Sequence, residues 1–330
     1  MIEHHLVYQL FNSLNNVTSK PFNKLLTDLD LSANELDKLI ATLNSLVPGL
    51  LHSNSGIISI SHKCVLLDKE LILNELSENW FVDPSHIEIL TSIESSNDYL
   101  RKKEFSSNVV RACLAEHQSQ GRGRRGKSWV SPFAQNIYLS VAKRCFMPIE
   151  QLGLVSLLVG ITIAEVVSDQ DINDVQVKWP NDVYCNGLKL AGVLIETNEV
   201  NKDYADLIIG IGVNCSMQDA SGIDQPWTSL QKLMEKEPDR NLIAADLINQ
   251  LLISLSLFEQ NGFSEFEEMW QKYDYLYGKP VQALGHADIN GFARGINEIG
   301  ELIIETNTGQ QAVRSGEVSV RLENSKSELQ

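Results

Sequence analysis

A chain of 330 residues, 43% hydrophobic and 21% charged, has enough apolar material for more than one core and lies outside the composition of a disordered protein. Its formal net charge of -16 excludes unspecific attraction to nucleic acid or anionic lipid, so a polyanionic ligand needs a local cluster of cations. The five cysteines (Cys64, Cys113, Cys145, Cys185 and Cys215) lack C-x-x-C spacing, which argues against a zinc or disulfide framework and fits reduced thiols in the cytoplasm.

The opening "MIEHHLVYQLFNSLNN" has no basic start, extended apolar region or small-residue cleavage site, so no signal peptide is expected. Apolar positions at helical spacing follow in "LVYQLFNSL", "FNKLLTDL" and "SANELDKLIATLNSL", and Ser32 with Glu35 three residues on is the pattern of a capping box. "GLLHSNSGIISIS" then alternates around a Ser-Gly turn, as a hairpin does. Helices followed by a two-stranded wing predict a winged helix-turn-helix over residues 1–62.

"LDKELILNELSENW" reads as a helical connector closing at Pro84. Beyond it, "NIYLSVAKR" alternates as a half-buried strand, and "LGLVSLLVGITIAEVVSDQ" is periodic enough for a core helix. Its apolar stretch Leu152 to Val167 is interrupted by Ser156, Thr162 and Glu165, and it falls short of the roughly 18 apolar residues of a membrane span. No membrane contact is expected. "VQVKW" is a strand, "VYCNGLKLAGVLIET" a hairpin about Asn-Gly, and "ADLIIGIGVNC" a strand buried on both faces. "LIAADLINQLLISLSLFEQNG" is a helix stopped by Gly262. The tail, with turn signals at Gly278, Gly285, Gly291, Gly300 and Gly309, suggests a small β-barrel. The fold class is therefore α+β, with boundaries near residues 62 and 274.

"QSQGRGRRGKSW", residues 118–129, gathers glycines and cations in an acidic chain. It satisfies G-x-G-x-x-G literally, but no buried strand precedes it and no helix follows, so the dinucleotide fingerprint is rejected; P-loop spacing also fails. What remains is a flexible loop whose backbone N–H groups and guanidinium forks suit phosphate, the alternative being a solvated basic loop. A second stretch, "VKWPNDVYCNGLKLAGVLIE", sets Lys178, Asn181, Asp182 and Lys189 around a turn and hairpin. A cation, an amide and a carboxylate at one turn can position phosphates and a hydrated Mg²⁺.

With "ESSNDYL", "IGIGVN", "PWTSLQ" and the terminal "GEVSVR" in order, these stretches resemble the biotin protein ligases, in the bifunctional bacterial form that also represses biotin-synthesis genes. The resemblance covers nearly the whole chain. It implies an N-terminal winged helix-turn-helix (1–62), a central mixed-sheet domain like class II synthetases (63–274) and an SH3-like C-terminal barrel (275–330). It implies ATP-dependent activation of biotin as biotinyl-5′-AMP, then transfer to a lysine of a biotin carboxyl carrier protein of acetyl-CoA carboxylase.

Carried over by position, Ser95, Ser96 and Asn97 look like the segment touching biotin's ureido and valeryl groups; the family commonly has Thr at the place of Ser96. Gln118 looks like a biotin contact. Arg122, Gly123 and Arg124 resemble the loop closing over the carboxylate and adenylate phosphate. Lys189 resembles the lysine on the carboxyl or phosphoryl oxygen, and Lys178 faces phosphate. Asn181 and Asp182 would serve ATP and Mg²⁺, with Asn214 and Trp227 on the adenine side. Arg124, Lys178 and Lys189 are the catalytic candidates. A homodimer linked to biotinyl-AMP and binding to operator DNA are further implications.

Charge opposes the last of these. No arginine precedes Arg101, and Lys20, Lys24, Lys38 and Lys63 are outnumbered by Glu3, Asp28, Asp30, Glu35 and Asp37. Phosphate neutralisation normally dominates DNA affinity. A working repressor module, a vestigial one kept as a brace, a biotin-sensing regulator without catalysis, and a lipoate-type ligase all remain open at this point.

Overall fold

The computed structural model describes residues 3–77, 83–107, 109–219, 221–285, 289–316 and 319–322. The N-terminal elements are α1 (His4–Asn15), β1 (Ser19–Pro21), α2 (Phe22–Leu29), α3 (Ala33–Leu46), β2 (Leu51–Asn54) and β3 (Ile57–Ile60). Leu36, Leu39, Ile40 and Leu43 recur at helical spacing and put one face of α3 into a core with Val7, Leu10, Phe11 and Leu14 of α1. Ser32 and Glu35 form the expected capping box. The strands pair in the order β1-β3-β2, and Ser55 and Gly56 turn the β2–β3 hairpin in left-handed conformations. This core does not close on itself: Cys64, Leu66, Phe133 and Ala134 complete it, with Phe11 and Phe133 ring centroids 6.0 Å apart. The module is thus packed onto the rest of the molecule.

After α4 (Lys69–Glu75), the central sheet has seven strands: β4 (Ile87–Leu90), β5 (Arg111–Ala115), β6 (Ile137–Cys145), β7 (Val175–Lys178), β8 (Asp182–Cys185), β9 (Leu188–Val200) and β10 (Ala205–Val213). Their order is β4-β5-β6-β10-β9-β8-β7; β4 and β5 run parallel and every other pair antiparallel. Asn186 and Gly187, both with positive φ, make the tight β8–β9 turn. The helices are α5 (Ser96–Arg101), α6 (Leu152–Ser168), α7 (Leu230–Leu233), α8 (Arg240–Asn261) and α9 (Glu267–Tyr273). Leu139 and Val141 of β6 join the main core with α6 and α8, while Ala142 packs with Leu100 of α5. That two-sided cover overrides the alternation of "NIYLSVAKR": six consecutive residues of β6 are buried, where a half-buried strand was expected.

Ile149–Ser168 and Arg240–Tyr273 are long and apolar enough to cross a membrane by length and composition, so the interruptions read in the first do not disqualify it on that criterion. Most of each apolar window is buried inside the molecule, 67% and 61%, against the sheet and each other. Among the described residues all five cysteines are buried and unpaired.

The C-terminal sheet is formed by β11 (Pro280–Leu284), β12 (Ile289–Ile296), β13 (Leu302–Thr306), β14 (Gly309–Val313) and β15 (Ser319–Leu322), in the order β14-β13-β12-β11-β15. Gly278, Gly300 and Gly309 sit at positive φ, as turn residues do. Gly291 does not turn the chain but lies inside β12, where an added Cβ would collide with Glu305 O of the adjoining strand. Gly285 borders residues 286–288, which lie outside the described residues. Val281, Ala283, Ala293, Leu302 and Ile304 belong to the main core, and Trp179 Nε1 donates to Gly300 O at 2.9 Å, so this sheet is packed against the central one.

Candidate active site

A cavity of about 340 Å³ opens beside β9 and β10, between the start of α5, the glycine-rich loop, the β8–β9 hairpin and β15. Its two ends differ in chemistry.

One end is neutral and polar. Ser95 caps α5, and Ser95, Ser96 and Asn97 are each at least 95% buried. Gln118 Oε1 accepts from Ser96 N at 2.8 Å and lies 3.1 Å from Ser96 Oγ, while its Nε2 donates to Ser131 Oγ at 3.2 Å. Ser140, fully buried on β6, reaches Ser96 Oγ at 2.7 Å and Asn97 Oδ1 at 2.6 Å. Asn97 Nδ2 donates to Glu196 Oε2 at 2.8 Å.

The loop folds back on itself: Gly123 N donates to Lys127 O at 2.7 Å and Trp129 N to Gly121 O at 2.8 Å. Arg125 (φ 56°) adopts the left-handed conformation, so successive guanidinium groups diverge. Arg122 turns to Glu196, with Nη1–Oε1 at 3.0 Å and Nη2–Oε2 at 2.9 Å, and to Asp98 Oδ1 at 2.7 Å. Only its buried Nε lacks a hydrogen-bond partner. Arg124 instead donates to Asn181 Oδ1 at 3.2 Å and to Ser315 O at 2.6 Å, bridging the β7–β8 turn and the C-terminal region. Burial and then Arg125 lower its pKa, the mark of a cation crowded by desolvation and like charge.

The other end is basic. Among the described lining residues, Arg122, Arg124, Arg125, Lys127, Lys178, Lys189 and Arg321 are cations and Asp182 is the one carboxylate. Lys189 Nζ lies 2.8 Å from Asp182 Oδ1, off the direction of a hydrogen bond, so the contact is an ion pair. Lys178 Nζ sits 4.9 Å from the Tyr184 ring centroid; burial pulls its pKa below that of an ordinary lysine, Asp182 opposes the shift, and Lys189 and Arg321 add to it. Such a cluster in an acidic protein is the local exception that a phosphate-bearing ligand requires. No group of three His, Cys, Asp or Glu side chains placed to hold a metal occurs among the described residues.

Between the two ends lies Trp129. Its ring covers Gly212 and Gly192: an added Cβ would fall 2.5 Å from Trp129 Cε2 at Gly212 and 3.0 Å from Cζ3 at Gly192. Lys189 Nζ is 5.3 Å from its centroid, and its buried Nε1 has no hydrogen-bond partner. Gly210 similarly admits the Asn97 amide, an added Cβ lying 2.6 Å from Oδ1. Sequence reasoning assigned no role to Trp129, Ser140, Glu196 or Arg321. The glycines of "IGIGVN" were the available signal, since glycine inside a strand marks close approach.

Of the expected residues, Ser95, Ser96, Asn97, Gln118, Arg122, Gly123, Arg124, Lys178, Asn181, Asp182 and Lys189 line this cavity together. Asn214 and Trp227 do not. Asn214 is buried behind the wall, its N donating to Leu190 O and its Nδ2 to Thr228 O, both at 3.0 Å. Trp227 lies beside Lys189 through a backbone bridge, and Lys232 Nζ is 3.6 Å from its ring centroid.

Residues 89–214 match the Biotin/lipoate A/B protein ligase family, and residues 277–321 match the Biotin protein ligase C terminal domain. The chain is 38% identical over 267 residues to the Bifunctional ligase/repressor BirA of Escherichia coli, covering 80% of this chain and 81% of that protein. It is 31% identical over 240 residues to a Biotin--[acetyl-CoA-carboxylase] ligase of Mycobacterium tuberculosis, covering 70% and 88%. A biotin protein ligase from Aquifex aeolicus, solved in complex with biotin and ATP, superposes with a TM-score of 0.62 at 29% identity, covering 72% of this chain and 99% of that one. With a ligase catalytic domain and a ligase C-terminal domain in one chain, and this similarity over most of its length, the protein belongs to the biotin protein ligases.

Proposed function

We propose that the protein activates biotin with ATP and transfers it to one lysine of a biotin carboxyl carrier protein of acetyl-CoA carboxylase. The observation that carries this reading is the cavity itself, which joins a neutral hydrogen-bonding end to a cationic end across a tryptophan. In the first step a biotin carboxylate oxygen attacks the α-phosphorus of ATP and pyrophosphate leaves. In the second, a lysine ε-amine attacks the acyl carbon, AMP leaves, and the amine proton goes to solvent. Neither step needs a protein nucleophile; positioning and charge stabilisation suffice.

Ser95, Ser96, Asn97 and Gln118 suit the ureido ring, which needs donors and acceptors together. Arg122 contributes through Nε, and Gly123 brings the backbone close. Arg124 spans the carboxyl and phosphoryl groups. Lys189 and Lys178 neutralise charge developing at the phosphate. Asn181 and Asp182 serve the triphosphate. Asp182 is also the carboxylate that would hold Mg²⁺, together with substrate oxygens and water, in keeping with the few carboxylates that ion requires. Bound there, Mg²⁺ would supply charge neutralisation to the phosphates. Trp227 would stack adenine on the face that Lys232 leaves open, and Asn214 would fix that segment from behind.

Mass spectrometry of a carrier-domain peptide after incubation with ATP, Mg²⁺ and biotin tests the reading: a single biotinylated lysine supports it, and an unmodified peptide overturns it. A lipoate-type ligase is disfavoured because a dithiolane would leave the buried Ser96, Asn97 and Gln118 groups without ligand partners.

The bifunctional reading has the shape of the N-terminal module in its favour: three helices and a hairpin matching a winged helix-turn-helix, with an SH3-like sheet at the other end of the chain. Surface charge opposes it. The exposed side of α3 carries Glu35 and Asp37, and Lys20 is taken up by an ion pair with Asp28. The module therefore serves chiefly as a brace. Its contact with Phe133 and Ala134, Asn15 Nδ2 donating to Cys64 O at 2.7 Å, and His4 Nε2 lying 2.9 Å from Leu67 O support that role. Salt-dependent binding to biotin-operator DNA would restore the repressor.

A further inference from the structure

The neutral end of the cavity is wired to a charge cluster of which Arg122 alone among its members lines it. Glu196 accepts from Asn97 Nδ2 (2.8 Å) and from both terminal nitrogens of Arg122, and pairs with Arg101 Nη2 through Oε1 (2.6 Å). Asp98 Oδ1 ties the two arginines together, 2.5 Å from Arg101 Nη1 and 2.7 Å from Arg122 Nη2.

An ionised carboxylate only accepts. Burial would raise the Glu196 pKa, but hydrogen bonds from Asn97, Arg101 and Arg122 outweigh it and hold the group below the usual carboxylate range. The Asn97 amide therefore turns its NH₂ towards Glu196 at 2.8 Å, with a longer contact of 3.4 Å to Leu194 O, and its Oδ1 towards Ser140. Ser140 has one proton and two neighbours, Asn97 Oδ1 and Ser96 Oγ. Since an amide oxygen cannot donate, that proton goes to Asn97, and Ser140 Oγ is left as an acceptor for the single Ser96 hydroxyl proton, which turns to it at 2.7 Å in preference to Gln118 Oε1 at 3.1 Å. The backbone N–H of Ser96 fixes the Gln118 amide in the same manner, by requiring its Oε1. Were the Asn97 amide to flip, Ser140 would receive its NH₂ and turn its proton on Ser96, reversing the pattern offered to the cavity.

We propose that Glu196, braced by Arg101, is a positioning residue that sets the direction of the Asn97–Ser140–Ser96 hydrogen bonds and thereby the selection of a cyclic urea over a cyclic guanidine of the same shape. This deepens the ligase reading and rests on biotin being the ligand of that end. The two rings differ where the urea carbonyl accepts and the guanidine N–H donates, so a site of fixed polarity separates them, and one with a free amide does not.

The test is titration calorimetry of the full chain with biotin and with 2-iminobiotin. Glu196→Gln can face Asn97 with either oxygen or NH₂, so the ratio of the two affinities should fall about tenfold, with the KM for ATP within about twofold of the parent. Glu196→Asp, still acceptor-only, should keep the ratio even where both affinities drop. Arg101→Met should move the ratio as Glu196→Gln does, by a smaller factor, and serves if Glu196→Gln does not fold. General loosening of the site would weaken both ligands equally, and loss of the Glu196 charge alone would weaken the protonated guanidine and raise the ratio, so an unchanged or higher ratio in Glu196→Gln, or an unchanged one in Arg101→Met where it stands in, overturns the proposal. Failure of the parent to bind biotin would instead remove the ligase reading beneath it.

Discussion

Gly212→Ala puts the Trp129 platform under a defined load. The new Cβ would lie 2.5, 2.6 and 2.7 Å from Trp129 Cε2, Nε1 and Cζ2, whereas carbon atoms settle about 3.5–4.0 Å apart. The ring must retreat by about 1 Å, and β10 cannot yield easily because it is paired on both sides, with β6 and β9. Overpacking of this kind costs about 1–3 kcal/mol. If the retreat is into the volume that the ligand needs, the cost is expressed on ligand binding and catalysis, equivalent to about 5–150-fold in kcat/KM for biotin at 1.36 kcal/mol per decade. Steady-state pyrophosphate release measures it. Trp129→Leu should lower activity alone but suffer little further loss on adding Gly212→Ala, so the double-mutant cycle should show coupling of about 1 kcal/mol or more. A Gly212→Ala enzyme with parental kcat/KM and unchanged Tm would refute the claim that Trp129 is held against that glycine.

Arg124→Gly removes the bridge to Asn181 and Ser315, and with charge-assisted hydrogen bonds worth about 1.5–3 kcal/mol, biotinyl-AMP should dissociate about 10–100 times faster; trapping of released adenylate by free amines reads it. Lys178 is held below the ordinary lysine pKa by burial, so its positive charge is lost at a lower pH than usual. Adenylation should therefore fall as pH rises through that pKa, and Lys178→Arg should move the falling limb upward in a pH–rate profile. Asp274 is pushed up to about 6 by burial, and its buried Oδ2 has no hydrogen-bond partner. A carboxyl raised on folding favours the native state at low pH, and that benefit is lost as pH climbs from about 4 through about 6. Asp274→Asn should then be more stable than the parent at pH 8, by about 2–3 kcal/mol at most, and show no such advantage at pH 4; denaturant melts at the two values decide.

Local signals were read correctly from sequence. Asn186-Gly187 and the Ser32–Glu35 box specify their turn and cap within a few residues. Apart from Arg321, the described cations of the cavity were legible for a similar reason, being concentrated in two short stretches. What escaped were contacts closed over long separations. Trp129 acquires meaning only against Gly212 on another strand, and Ser140 sits in a strand whose apparent alternation hid a fully buried hydroxyl. Arg122 was expected in the loop closing over the ligand's carboxylate and phosphate. Asp98 and Glu196, from α5 and β9, claim its terminal nitrogens, and no local pattern announces carboxylates that converge only in three dimensions.

The most direct measurement is biotin-dependent exchange of labelled pyrophosphate into ATP by the full chain with Mg²⁺. The parent should exchange label only when biotin is present, and Lys189→Ala should cut the rate at least about 100-fold, the scale of losing a charge aimed at the developing transition state. Exchange that proceeds equally well without biotin, or survives Lys189→Ala undiminished, would contradict the assignment of this cavity to acyl adenylation.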